Sequence, residues 1–84
     1  MEVRFTQAAR KHRIGRASVR HVLANSDPTG VTTGQGNPGW HYVGPDDRNR
    51  ELEIIAVEIE GSPEDVLLVI HVMPTRLRGR GTHA

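Results

Sequence analysis

Eight consecutive positions, Val66-Leu67-Leu68-Val69-Ile70-His71-Val72-Met73, carry a single polar side chain, His71. A run of that length and branching reads as a central strand covered on both faces. Gly61-Ser62-Pro63-Glu64-Asp65 is a turn before it, and Pro74 ends it. A sheet must therefore form around this segment, and the chain has strands to offer. Leu52 to Glu60 places Ile55, Val57 and Ile59 on one face and Leu52, Ile54, Ala56 and Glu58 on the other. Trp40 to Val43 is a shorter strand, joined to it through Gly44-Pro45-Asp46-Asp47.

The first third reads differently. Thr6 can cap a helix through Gln7, Ala8, Ala9, Arg10 and Lys11, with Phe5 as a hydrophobic staple. Ile14-Gly15 breaks that run. A second helix spans Arg16 to Asn25, with Ile14, Val19, Val22 and Leu23 as its apolar face and Arg16, Arg20 and His21 turned away. Residues 26–39 hold four Gly and two Pro, which preclude a helix or a central strand, so they read as a loop. The expected fold is α+β: two N-terminal helices packed on a three-stranded or slightly larger antiparallel sheet, in the order ααβββ. One domain covers 1–78, and 79–84 is a flexible basic tail.

Eighty-four residues allow only a small core, and three aromatics, Phe5, Trp40 and Tyr42, leave it to aliphatic side chains. A small core and an open sheet edge point to self-association, such as a homodimer. The absence of Cys excludes disulfides, thiolate metal sites and a Cys nucleophile. No apolar run approaches the ~18 residues of a membrane span, and the N-terminus has no signal-peptide core. The expectation is a cytoplasmic protein without a membrane partner. Net charge is +1, but its distribution is uneven: +5 over 1–26, −7 over 27–73 and +3 over 74–84. Such polarity either presents Arg to phosphate or leaves solvated charged faces.

Several motifs carry no weight. Gly34-Gln35-Gly36-Asn37-Pro38-Gly39 matches G-x-G-x-x-G, yet a strand follows it where dinucleotide binding needs a helix. The five His residues, 12, 21, 41, 71 and 83, show no metal-ligand spacing. No metal or other cofactor is implied.

Two constellations remain. Ala9 to Asn25 resembles the helix-turn-helix unit of LacI-type repressors at Ala9, Ile14, Ala17, Ser18, Val19, Val22, Leu23 and Asn25. Arg13 stands where that motif usually has Gly. The alternative for the same residues is two amphipathic helices with an Arg-rich outer face. His71 is either a buried, hydrogen-bonded imidazole or the wall of a site. Arg76 and Arg78 follow it closely, and imidazole with guanidinium can cleave RNA without a metal. His41 or Tyr42 can supply an acid or a stacking surface. Glu53 either orients an imidazole across strands or faces water.

The segment Val69-Ile70-His71-Val72-Met73-Pro74-Thr75-Arg76-Leu77-Arg78 resembles the V-I-H-A-M-P-x-R-x-R end of small actinobacterial toxin-like proteins. Gly44-Pro45-Asp46 and Asn49-Arg50-Glu51-Leu52-Glu53 resemble their turn and strand start, with Asn49 in place of the usual Gly. Lys11-His12-Arg13-Ile14 and His21-Val22-Leu23 resemble their opening. The group is related in layout to the BrnT and RelE toxins of type II toxin–antitoxin pairs. The tail lacks the group's aromatic ending. The resemblance implies an endoribonuclease acting on RNA and silenced by a cognate antitoxin. On that reading the catalytic candidates are His71, Arg76, His12 and Tyr42, and the RNA phosphate is held by Arg10, Arg50 and Arg78. The alternative is a non-catalytic DNA-binding module using Arg16–Asn25 as recognition helix.

Overall fold

A computed structural model describes residues 2–34, 36–59 and 66–77. The chain runs β1 (Glu2–Phe5), a 3-10 turn (Ala8–Arg10), α1 (Arg16–Asn25), β2 (Thr29–Thr32), β3 (Pro38–Pro45), β4 (Glu51–Glu58) and β5 (Val66–Pro74). The five strands form one mixed sheet in the order β1-β5-β4-β3-β2. β1 runs parallel to β5, and the other three pairings are antiparallel. The class is α+β, but the expected ααβββ order with two helices on three strands is wrong. Among the described residues α1 is the one helix longer than a single turn, and two edge strands, β1 and β2, extend the sheet.

Each difference has a physical cause. The expected first helix shrinks to three residues. Thr6 does cap it, accepting from the Ala9 N–H at 3.2 Å. However, Arg13 sits at φ +55°, a left-handed conformation that cannot continue a helix. A helix of two turns or fewer is also too short to offset its nucleation cost. Residues before the cap instead alternate polar and apolar, Glu2-Val3-Arg4-Phe5, and pair with β5 from Glu2↔Val66 to Phe5↔Val69. Residues 26–39 are not all loop. Thr29–Thr32 is an edge strand, where Gly30 is tolerated, and β3 already starts at Pro38.

α1 packs on β3 and β4 with Val19 and Val22 fully buried. Under it lie Leu52, Ile54 and Ala56 of β4, Leu67, Val69 and Val72 of β5, and Tyr42 of β3. Gly44 permits the close approach: a Cβ there would lie 2.1 Å from Ser26 Oγ. Only this face is covered among the described residues, so β5 is interior to the sheet but has one open face.

Two turns place a non-glycine residue in the left-handed region that Gly adopts most readily. Arg13 is one. Asn49, at φ +61°, is the other, and Asn is the next best residue there. The Asn49 turn is tied by Asp46, which is buried beneath its own loop. Its carboxylate accepts from the N–H groups of Arg48 and Arg50 at 2.9 and 2.8 Å and from the Arg50 guanidinium at 3.0 and 2.9 Å. Burial pushes its pKa up, but the hydrogen bonds and charge from Arg50 and Arg48 outweigh it and hold the carboxyl below its usual value.

Candidate active site

The open face of the sheet carries the candidate site, and an irregularity in β5 puts it there. In β5, Leu67 and Val69 point into the core. Unbroken alternation would send His71 after them. The register instead slips: Ala56 pairs with Val69 and Ile55 with His71, which leaves Ile70 as an extra residue. This β-bulge resets the parity. Val72 becomes the next core residue, and His71 turns outward with its side chain 36% exposed.

His71 then lies in one row with Ile55 and His41 across β5, β4 and β3. Two residues along β4 stands Glu53, diagonal to both imidazoles and within reach of each. Its Oε1 lies 3.1 Å from His71 Nε2 and its Oε2 3.0 Å from His41 Nε2. One carboxylate thus bridges two imidazoles on two neighbouring strands. Glu53 is flanked by Val43 and Met73 in its own row and is buried, while His41 keeps 26% of its side chain exposed.

A carboxylate only accepts when ionised, so with Glu53 in that form each imidazole donates Nε2–H to it and keeps Nδ1 as the other ring nitrogen. A carboxylate that orients an imidazole and stabilises its protonated form is the usual partner of an acid–base histidine. Two such imidazoles on one carboxylate can share the roles of base and acid. Among the described residues no group of three or more His, Asp and Glu is placed to hold a metal ion.

The other sequence candidates fall elsewhere. Tyr42 is buried on the core face, opposite His71. Burial, and then the charge of Glu58, raise its phenol pKa. Arg50 is a two-point partner of Asp46. Arg10 is exposed and His12 half-buried in the link between β1 and α1, whose Ala9 joins the core beneath the helix. Arg76 is exposed just beyond β5, where the neighbouring Thr75 hydroxyl donates to Glu51 at 2.6 Å. Arg78 and the tail 79–84 lie outside the described residues, as does the turn 61–65. So His71 and Glu53 come together as the cross-strand reading allowed, and His41 joins them. The sequence signal for His41 is the alternation of His41 and Val43 against the core residue Tyr42.

The fold and this face define a small α+β protein with a half-covered mixed sheet and a His–Glu–His constellation. Comparison with protein-family models, curated proteins and solved structures gives no match. No helix of the described residues is long and apolar enough to cross a membrane.

Proposed function

We propose that the protein is a metal-independent endoribonuclease and the toxin of a type II toxin–antitoxin pair. The observation that carries the nuclease reading is the carboxylate shared by His41 and His71 on an uncovered sheet face. The toxin part rests on the resemblance of residues 69–78 to the toxin-like group. In the reaction, His71 takes the proton from a ribose 2′-hydroxyl, and the 2′-oxygen attacks the adjacent phosphorus. The bond to the 5′-oxygen breaks, and that oxygen receives a proton from the His41 imidazolium. The products are a 2′,3′-cyclic phosphate and a free 5′-hydroxyl. Glu53 orients both rings and stabilises whichever is charged. Arg76 adds positive potential at the end of β5.

An antitoxin is the natural partner, since a protein that covers the open face would block access to both imidazoles. DNA recognition by α1 is the second reading, and exposed Arg16, Arg20 and His21 favour it. It lacks a bracing first helix, because only a three-residue 3-10 turn precedes α1.

The test is inducible expression of wild type and His71→Ala in a bacterial host, with growth and bulk RNA followed. Arrest with RNA loss, relieved by a folded His71→Ala, supports the reading. Full toxicity of the variant overturns it.

A further inference from the structure

A second feature shares a wall with the two-histidine site. On the same open face, β2 and the start of the β2–β3 loop lie beside His41 and line an open, shallow cavity of about 360 Å³. Val31, Ile55 and Ile70 give it an apolar lining, and Thr32, Thr33 and His41 a polar one. Ile70 is there because of the β-bulge. The same extra residue that turns His71 outward sets an isoleucine beside it.

We propose that this cavity is a nucleobase subsite, which holds one unpaired base of a single-stranded RNA next to the scissile phosphate. The inference takes from the nuclease reading that the ligand is RNA, and it adds where the base goes.

Three observations select a base as occupant. First, charge: the described lining residues include no Lys, Arg, Asp or Glu, so the cavity suits an uncharged group and leaves the phosphate outside, beside His41. Second, size: a volume of about 360 Å³ is at the small end of ligand pockets and has room for a planar ring system. An RNA duplex, whose bases are stacked and paired, cannot offer one without melting. Third, position: the cavity begins at the imidazole that protonates the leaving oxygen, so its contents are within one nucleotide of the reacting phosphorus. The flat sides of Ile55 and Ile70 give an apolar platform, and the His41 ring adds a π face. Thr33 supplies polarity without charge. Its hydroxyl oxygen accepts from the Asn37 N–H at 3.3 Å, which leaves its proton to donate to a base carbonyl or ring nitrogen. A platform of this kind holds bases by their faces and selects weakly among them.

The test uses the full chain and two short oligonucleotides. Both are 2′-O-methyl RNA, which cannot be cleaved, and one lacks a single base. Binding is followed by amide chemical shifts, and cleavage of ordinary RNA of the same sequence is measured in parallel. The expected result is shifts at Val31, Thr32, Gly34 and Ile70, and about tenfold or greater loss of affinity for the abasic oligonucleotide. Val31→Asp, at a partly exposed edge position, should weaken binding of the complete oligonucleotide by a similar factor and leave the abasic one unaffected. Equal affinity for the two oligonucleotides, or no binding of either, overturns the subsite, whether or not RNA is cut. Base-dependent binding without cleavage of ordinary RNA overturns the nuclease reading and keeps the subsite.

Discussion

Glu53 makes the two imidazoles one unit, and that gives its substitution a distinctive signature. A carboxylate offers an acceptor to each Nε2–H, but the carboxamide of Gln offers one oxygen and one NH2 group. Glu53→Gln therefore leaves one ring as it was and forces the other to the opposite tautomer. RNA cleavage should fall by about tenfold or more, and ¹⁵N shifts of the ring nitrogens should report a change in only one imidazole. On the proposed mechanism His71→Ala removes a proton-transfer group, and kcat should fall by about 10²–10⁴-fold with the circular dichroism spectrum unchanged. If both rings changed together in Glu53→Gln, the bridging arrangement would be wrong. Asp46 is the contrasting case, a buried carboxylate with a structural task. Because its folded pKa is depressed, the stability it contributes is present above the ordinary carboxylate range. It is lost as pH falls through the lowered folded value. Asp46→Ala leaves Arg50 and two turn N–H groups without their acceptor. It should cost about 2 kcal/mol at neutral pH and much less in acid, as measured by urea denaturation at each pH.

Between elements, β3 comes close to the chain where α1 ends. A Cβ at Gly44 would meet Ser26 Oγ at 2.1 Å and Ser26 Cβ at 3.3 Å, just past the end of α1. A serine hydroxyl can rotate away, so Gly44→Ala should destabilise by only about 1 kcal/mol. In a Ser26→Ala background most of that cost should vanish, and a double-mutant cycle on thermal unfolding measures the difference. Additive effects would mean that the clash is not what Gly44 avoids. The pattern of elements also explains what was legible in the sequence. α1, β4 and β5 announce themselves because each has a run of apolar residues at its own period. β1 does not, since four residues of alternation are outweighed by the cap signal at Thr6. Its parallel pairing with β5 is a tertiary fact that no local pattern carries. The site was legible in the same partial way. His71 stands out as one imidazole in an aliphatic strand, but the bulge at Ile70 decides which face it meets. Without the register of three strands, the shared carboxylate cannot be deduced from spacing, because His41, Glu53 and His71 are 12 and 18 residues apart.

The whole molecule has two dissimilar sides, and that separation yields the sharpest test between the functional readings. One side carries α1 with exposed Arg16 and Arg20, and Arg16 lies over the Phe5 ring at 5.5 Å. The other carries the His–Glu–His row and the cavity beside His41. The charge imbalance along the chain puts many basic residues in α1 and in the link before it, whose Ala9 packs with α1 on the core face. For a DNA-binding module, removing two Arg from the recognition helix would remove phosphate contacts, and affinity and its salt dependence would both fall. For a nuclease acting on the open face, the same change only trims a long-range field that salt already screens over ~10 Å. Arg16→Ala with Arg20→Ala should therefore leave kcat/KM for RNA within about threefold at 0.15 M salt, and lower it further only at low ionic strength. Any loss of stability from the Phe5 contact is read separately from the midpoint of unfolding, at about 0.5–1 kcal/mol. A large loss of cleavage at physiological salt in a stably folded double variant would place RNA on the helix side and remove the open face from the mechanism.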